Sequence, residues 1–162
     1  MNAADPSAAR QVTWEELDAL VVQLAHDVGR DFDLLLAISR GGLVPAGILA
    51  YRLDLREIVV AGAVFYLADG GTRDAPLLGQ FPDASLLAGR RILVVDEVWE
   101  TGETMTAVCA RVRDSGGYPT SAVLHYKPER SLVSGAPDHF AAIEHGWLTY
   151  PYKAETPTSG AG

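Results

Sequence analysis

Apolar residues along the chain alternate between short strand-like runs and longer segments with helical spacing. Four runs predict strands, at Phe32–Ile38, Ile58–Leu67, Arg91–Asp96 and Ser121–Tyr126. Three segments predict helices, one after the N-cap Thr13, one over Leu43–Leu53 and one around Met105–Val112. Because strands that alternate with helices form a parallel sheet with right-handed crossovers, we predict an α/β fold with a parallel sheet flanked by helices.

The first predicted helix has clear end signals in the sequence. Thr13 is a favourable N-cap residue, and Glu16 stands three positions later, as in a capping box. Gly29 follows the last apolar position of the helical pattern, where a helix commonly ends. We therefore expect this helix to lie between Thr13 and Gly29.

The chain length predicts a single domain. Its 162 residues lie within the usual range of about 100–200 residues per domain. We place that domain at residues 12–155, between a flexible N-terminus at 1–11 and a flexible tail at 156–162. Residues 68–89 have turn chemistry and little periodicity, and so long a connection is usually either functional or an unrecognised hairpin.

Charge and cysteine content exclude several classes of protein. Thirteen Lys and Arg against 21 Asp and Glu give a net charge of −8, which argues against nucleic-acid or anionic-membrane partners bound by broad charge neutralisation. The one cysteine, Cys109, excludes an intramolecular disulfide and a multi-cysteine zinc site. With neither a signal-peptide pattern nor an apolar run of about 18 residues, we expect a cytoplasmic protein. A small anionic substrate stays compatible with this charge, since one site needs few donors.

Polar residues that could bind a ligand or take part in a reaction follow two of the predicted strands. Ser39–Gly42 follows the first strand, and Asp96–Thr104 begins where the third ends. In open α/β sheets, ligands bind outside the carboxyl ends of the strands. The acids Asp96 and Glu97 suit diols or Mg²⁺, and the hydroxyls and glycine of Thr101–Thr104 precede a helix whose N-terminus suits phosphate.

The stretch over residues 92–104 resembles the phosphoribosyl-pyrophosphate (PRPP) motif of type I phosphoribosyltransferases. It has four apolar residues, two acids, two apolar residues, an acid and Thr-Gly-x-Thr. Further segments resemble the bacterial xanthine-guanine and related 6-oxopurine enzymes of that family in the same order, namely Val12–Trp14, Ala37–Pro45, Tyr126–Pro128 and Gly146–Tyr152. The resemblance runs from about Val12 to Tyr152 and implies the type I phosphoribosyltransferase fold, with a small C-terminal hood over about residues 127–152.

The resemblance assigns a PRPP site. The residues it implies are Ser39, Arg40, Gly41, Gly42, Asp96, Glu97, Thr101, Gly102, Glu103 and Thr104. Arg40 and the backbone of 39–42 would hold pyrophosphate, after a cis peptide bond. Asp96 and Glu97 would meet the ribose hydroxyls directly or around Mg²⁺, the implied cofactor and metal ligand pair. Thr101–Thr104 would wrap the 5′-phosphate, and residues 66–88 would form a mobile flap over PRPP.

The resemblance also assigns a base site. Lys127 would bind the purine 6-oxygen, Trp147 would stack on the base, and the backbone of Leu148 would contact the base edge. Glu100 would be the catalytic residue that handles the proton on purine N7. It stands where the family usually has Asp, and its neighbour Trp99 replaces a small aliphatic residue. Both departures bear on the acceptor base and the rate more than on PRPP binding.

The implied function is transfer of the 5-phosphoribosyl group from PRPP to a 6-oxopurine, giving a nucleoside monophosphate and pyrophosphate in purine salvage. Two alternatives stay open at this point. One is a phosphoribosyltransferase with a different acceptor base, which the changes at Trp99 and Glu100 permit. The other is a non-catalytic regulator that senses PRPP or nucleotide. The resemblance further implies a homodimer or homotetramer, with no nucleic-acid or membrane partner.

Overall fold

The structure, a computed structural model, describes residues 9–66 and 72–153. Its helices are α1 (Trp14–Val28), α2 (Leu43–Leu53), α3 (Ala84–Leu87) and α4 (Glu103–Asp114), with a 3-10 turn at Pro128–Arg130. Its strands are β1 (Arg10–Gln11), β2 (Leu34–Ser39), β3 (Ile58–Tyr66), β4 (Thr72–Gln80), β5 (Arg91–Trp99), β6 (Tyr118–Tyr126), β7 (His139–Ile143) and β8 (Leu148–Thr149).

Six of these strands form one sheet in the order β4-β3-β2-β5-β6-β7. All neighbours are parallel except β3 and β4, which form an antiparallel pair at one edge. The short strands β1 and β8 pair separately and join the two ends of the described chain. The predicted α/β fold with a parallel sheet flanked by helices is confirmed, and β2 and β5 lie side by side at its centre.

Helix α1 has the predicted ends. The side chain of Thr13 accepts a hydrogen bond from the Glu16 N–H at 3.1 Å, and the helix stops at Gly29, whose φ is +70°. A positive φ favours glycine because it carries no Cβ. The Glu16 carboxylate completes no capping box but pairs with Arg10 at 2.6 Å. That ion pair links α1 to β1.

Two apolar clusters cover the two faces of the sheet. Alternate residues of β5 serve opposite faces, so Leu93 and Val95 pack with α1 and α2, whereas Ile92 and Val94 pack with α4. The second cluster includes Met105, Val108, Cys109 and Val112 from the predicted apolar face of α4. The sheet is therefore covered on both faces, and the candidate site residues lie at the carboxyl ends of β2 and β5.

Several element boundaries differ from the prediction. Strand β5 continues to Trp99 instead of ending at Asp96. Within 68–89 the structure has β4, antiparallel to β3 as in the unrecognised hairpin that the sequence left open, and helix α3. Residues 10 and 11, assigned to a flexible N-terminus, form β1, and β7 extends the main sheet from within the predicted hood. Residues 67–71 of the predicted flap, and the termini 1–8 and 154–162, lie outside the described residues. The domain bounds and the covering role of the flap stay predictions.

Candidate functional site

The loop between β2 and α2 packs its backbone directly against β5. The Ser39–Arg40 peptide bond is cis, as the resemblance implied. The Gly42 N–H donates to the Ile38 carbonyl at 2.9 Å, and a Cβ on Gly42 would lie 2.5 Å from the Val95 carbonyl oxygen. A Cβ on Gly41 would lie 2.5 Å from Cδ of Glu97. Gly42 is thus required by its close approach to backbone atoms, whereas a side chain at Gly41 would displace the Glu97 carboxylate. The predicted pyrophosphate loop therefore lies directly on the acid pair.

Asp96 is the more accessible member of the acid pair. Its side chain is half-buried, and one carboxylate oxygen accepts a hydrogen bond from the Glu97 N–H at 2.7 Å. Burial raises the pKa of Asp96 to about 7, and the Glu97 carboxylate adds to the rise, whereas this hydrogen bond and the more distant Lys153 oppose it. The direction of that shift reflects chiefly the loss of water around the Asp96 carboxyl.

Glu97 is buried and engaged through both carboxylate oxygens. Its Oε1 pairs with Lys153 Nζ, and its Oε2 lies 2.5 Å from the Tyr152 hydroxyl. The Tyr150 hydroxyl donates to the backbone carbonyl of Glu97 at 3.0 Å. Burial and the hydrogen bond to Glu97 raise the pKa of Tyr152. Sequence reasoning placed Asp96 and Glu97 together, but the structure gives them different surroundings.

Gly102 begins α4 at the predicted phosphate loop. Its φ is +83°, and a Cβ there would lie 2.5 Å from the indole ring of Trp99. No side chain caps this helix, so the backbone N–H groups of its first turn face the loop, although the Thr101 hydroxyl makes a long 3.4 Å bond with one of them. Such a terminus favours a phosphate oxygen.

The side chain of Trp99 packs against this loop from the core side. The ring is buried in the core between the sheet and α4, and its Nε1–H donates to the Ser131 hydroxyl at 3.2 Å. The Leu132 N–H donates to the Thr101 carbonyl at 2.9 Å. Trp99 therefore joins the predicted phosphate loop to the segment that follows β6, a packing role that a small aliphatic residue could not fill.

A group of three charged side chains lies beside the indole ring of Trp147. Glu100 Oε1 is 2.9 Å from Nε of Arg130 and 3.5 Å from Nζ of Lys127. Lys127 Nζ and the guanidinium carbon of Arg130 each lie 5.2 Å from the centre of the Trp147 ring. Lys127 is only 4% exposed, which rules out a free surface lysine, whereas Trp147 is 56% exposed. An exposed ring with two cations over it, and a carboxylate beside those cations, suits a planar, polar base.

Arg10 and an exposed turn at residues 144–146 hold Trp147 in place. The Glu144 carboxylate accepts the backbone N–H groups of His145 and Gly146, each at 2.9 Å, and Nε–H of Arg10 at 3.0 Å. These bonds, led by the one from Gly146, lower the pKa of Glu144 to about 2. The Arg10 N–H also donates to the Trp147 carbonyl at 2.8 Å. Leu148 follows in β8, paired with Arg10.

The structure brings the predicted residues together as two adjoining groups. Gly41, Gly42, Asp96 and Glu97 are in direct contact, and one loop further along Lys127 lies near both Glu100 and Trp147. Arg40 is exposed beside the first group. Among the described residues, no side-chain contact marks Glu103 or Thr104 as functional. Their predicted role in phosphate binding rests on their position in the first turn of α4.

Sequence reasoning missed three residues of the site. Arg130 lies in a 3-10 turn three positions after Lys127, and no sequence pattern marks it. Tyr152 ends the last predicted motif but was given no role, Lys153 follows it, and both side chains contact Glu97. One signal was available, since Lys153 is one of two lysines in an acidic chain and the other is Lys127.

Two further features of the described residues concern metal ions and membranes. In residues 9–66 and 72–153, no three or more His, Cys, Asp or Glu side chains cluster as a metal site. A divalent cation held by Asp96 would therefore need oxygens from a bound substrate, which is usual for Mg²⁺. None of the helices in this described part is both long enough and apolar enough to cross a membrane.

Comparisons with known proteins agree with this geometry. The sequence model of a family described as phosphoribosyl transferase domain matches residues 12–148. Xanthine-guanine phosphoribosyltransferase of Roseobacter denitrificans is 35% identical over 130 residues, covering 73% of this chain and 66% of that protein. The enzyme of the same name from Gluconobacter oxydans is 31% identical over 147 residues, covering 87% of this chain and 82% of that one. The crystal structure of a purine phosphoribosyltransferase from Pyrococcus horikoshii superposes with a TM-score of 0.74 at 27% identity, covering 94% of this chain and 97% of that one.

Proposed function

Because this chain belongs to the phosphoribosyltransferase family, we propose that it transfers the 5-phosphoribosyl group of PRPP to a 6-oxopurine. The products are a nucleoside monophosphate and pyrophosphate, as in purine salvage. The observation that carries the proposal is the meeting of Glu100, Lys127 and Trp147 beside the loop that begins α4. A base seated there lies next to the groups suited to PRPP.

The PRPP side of the site is built from backbone and a few charged groups. Arg40, with the backbone of 39–42, holds the pyrophosphate, and the N-terminus of α4 at Thr101–Thr104 holds the 5′-phosphate. Displacing pyrophosphate from C1 of the ribose passes through an oxocarbenium-like state, so these groups act by positioning the reactants and stabilising the leaving group. A net charge of −8 is no obstacle, because binding depends on these local donors.

The donor set fits Mg²⁺ at Asp96 better than at Glu97. Asp96 offers carboxylate oxygens from a half-buried position, and the cation prefers one or two carboxylates plus the phosphate oxygens of its substrate. Both oxygens of Glu97 already have partners in Tyr152 and Lys153. Bound there, Mg²⁺ supplies positive charge to the pyrophosphate leaving group. Steep Mg²⁺ dependence of PRPP binding is the expected consequence.

The base side orients the acceptor and handles its proton. Trp147 offers its exposed ring as a stacking surface, and the Lys127 ammonium donates to the purine 6-oxygen. The backbone of Leu148 contacts the edge of the base. Glu100 takes the proton from purine N7, and its extra methylene relative to Asp is accommodated by its pairing with Arg130 and Lys127. Both cations approach the same oxygen, Oε1, which accepts no hydrogen bond from the described residues.

Turnover with a panel of bases tests this proposal. Purified full-length protein is incubated with PRPP, Mg²⁺ and guanine, xanthine or hypoxanthine, with uracil, orotate and no base as controls, and released pyrophosphate is measured. We expect release with at least one 6-oxopurine. Release with a pyrimidine alone would overturn the acceptor, and PRPP binding without release on any base would indicate a sensor instead.

The remaining expectations accompany the same proposal. A homodimer or homotetramer is to be checked by sedimentation velocity on the same preparation. We expect the protein to be cytoplasmic, where it would meet PRPP, and cell fractionation tests this location.

A further inference from the structure

The described chain ends in a segment that packs against Glu97 of β5 and His125 of β6. We call Tyr150, Tyr152 and Lys153 the C-terminal clamp. The rings of Tyr150 and Tyr152 stack with centroids 5.5 Å apart and an angle of 13° between planes, and Lys153 Nζ lies 5.5 Å from the Tyr150 ring centre. The Lys153 N–H donates to the Tyr150 carbonyl at 2.9 Å. The three side chains therefore form one small, internally bonded unit.

This clamp holds Glu97 from three directions. Lys153 Nζ pairs with Oε1, the Tyr152 hydroxyl lies against Oε2, and the Tyr150 hydroxyl donates to the backbone carbonyl of Glu97. The side chain of Glu97 is 8% exposed, whereas that of Lys153 is 47% exposed. A buried carboxylate without a partner is costly, so the clamp stabilises the buried position of Glu97.

The same clamp reaches the loop of the predicted pyrophosphate site. The Tyr152 hydroxyl lies 3.2 Å from the Gly41 carbonyl oxygen as well as 2.5 Å from Glu97 Oε2, and its single proton is shared between these acceptors. A Cβ on Gly41 would lie 2.5 Å from Cδ of Glu97, so the Glu97 carboxylate lies directly against this glycine. Through the Tyr152 hydroxyl, which reaches both residues, the clamp links the Gly41 backbone to Glu97.

Core packing alone does not account for these contacts. Replacing a buried ion pair by apolar residues of similar volume is often neutral or stabilising. Here Lys153 is 47% exposed, so its pairing with Glu97 fills no core space and instead directs a charge at the buried carboxylate. Hydrogen bonds fix orientation more narrowly than apolar contacts, because they weaken steeply with angle.

We propose that Tyr152 and Lys153 are positioning residues for PRPP, which hold Glu97 against Gly41 and thereby set the backbone of the 39–42 loop. This inference rests on the proposed function, because the ligand of that loop is taken to be PRPP. Neither side chain touches the base cluster at Glu100. Loss of the clamp therefore weakens PRPP binding and leaves base binding nearly unchanged.

The test compares Tyr152→Phe and Lys153→Met with Tyr118→Phe and Arg56→Met. The control residues are exposed, at 66% for Tyr118 and 90% for the Arg56 side chain, and lie away from the site. Calorimetry measures the Kd of PRPP with excess Mg²⁺ and no base, and steady-state assays measure both KM values. We expect each clamp variant to raise the Kd and KM for PRPP about tenfold, the loss typical of a bond to a charged group, with the KM for the base changed less than about twofold.

Two further measurements separate positioning from general support. Hydrogen exchange of peptides covering residues 39–46 should quicken in the clamp variants and not in the controls, because the Gly42 N–H bond to Ile38 loosens. Lys153→Arg should restore PRPP binding, since it keeps the cation. If either clamp variant is poorly folded by circular dichroism, the other one carries the test.

The outcomes distinguish this inference from the proposed function. Equal losses in PRPP and base KM, or a lower melting temperature with unchanged Kd and exchange, would overturn the positioning role alone. Failure of the unaltered protein to bind PRPP would overturn the proposed function, and the assignment of the loop to PRPP with it. Faster exchange at 39–46 in that case would show that the clamp still holds the loop, for a different ligand.

Discussion

Gly42 offers a sharp test of how the site is built, through the substitution Gly42→Ala. A Cβ there would lie 2.5 Å from the Val95 carbonyl oxygen, 2.7 Å from the Ile38 carbonyl oxygen and 3.1 Å from Cα of Asp96. All three are backbone atoms of the central strands β2 and β5. Its φ is −71°, so the obstacle to alanine is space and not backbone conformation.

The magnitude follows from what must move. Overpacking by an added methyl group typically costs about 1–3 kcal/mol, and we expect the upper part of that range because two sheet strands cannot shift independently. A Cβ on Gly47, in the following helix α2, would meet no neighbouring atom within 4 Å, so this glycine is the matched control. Gly47→Ala should stabilise by about 0.5–1 kcal/mol, the usual gain for alanine inside a helix.

Urea denaturation monitored by circular dichroism measures both variants against the unaltered protein. At about 2–4 °C per kcal/mol for a chain of this size, thermal scans should show a fall for Gly42→Ala and a small rise for Gly47→Ala. Equal stability of the two variants would refute the close approach of the 39–42 loop to β5. A midpoint that changes together with the m-value would indicate an altered denatured state and not a steric cost.

Three other expectations follow from the same structure. Glu100→Gln should lower turnover far more than it weakens PRPP binding, and equal kcat in that variant would remove Glu100 as the group that handles the proton. Burial lowers the pKa of His125 to about 4, so below about pH 6.5 the unfolded chain binds a proton at this residue and the folded chain does not. The free energy of unfolding should therefore fall as the pH drops from about 6.5 to 4. The slope of the urea midpoint against pH should be shallower in His125→Asn and unchanged in His26→Asn, the control at an exposed residue. Burial raises the pKa of the Cys109 thiol to about 12, so a thiol reagent should react with the protein only after unfolding, and rapid labelling of the native protein would contradict the buried position.

The tautomer of His125 illustrates how much the tertiary contacts add. The Tyr150 hydroxyl gives its proton to the Glu97 carbonyl, so the hydroxyl oxygen must accept from Nδ1–H of His125 at 2.8 Å. The other ring nitrogen, Nε2, then faces an Arg10 N–H at 3.5 Å as an acceptor. This assignment makes His125 a neutral, satisfied core residue, in agreement with its lowered pKa. In the sequence it was one histidine among four without metal-ligand spacing.

Local signals in the sequence were enough for the elements and their order. The ends of α1 follow from Thr13 and Gly29, because capping and a positive φ are properties of single residues. Helix α2 has the predicted bounds, Leu43–Leu53. The end of β5, which was predicted wrongly, and the choice of a hairpin at β4, which the sequence left open, depend on pairing with a neighbouring strand. Hydrogen bonds to such a partner leave no local signal in the sequence.

The sequence by itself therefore determined the α/β class, the two strand ends that carry the chemistry and the family to which the motifs belong. Periodicity and short motifs report these features because each depends on residues close together in the chain. Only the tertiary structure decided that Arg130 pairs with Glu100 and that Tyr152 and Lys153 bind the carboxylate of Glu97. The clamp contacts join residues more than 50 positions apart, and the pairing with Arg130 joins separate elements. Distance and burial, which no local pattern encodes, select the partner of each charged group.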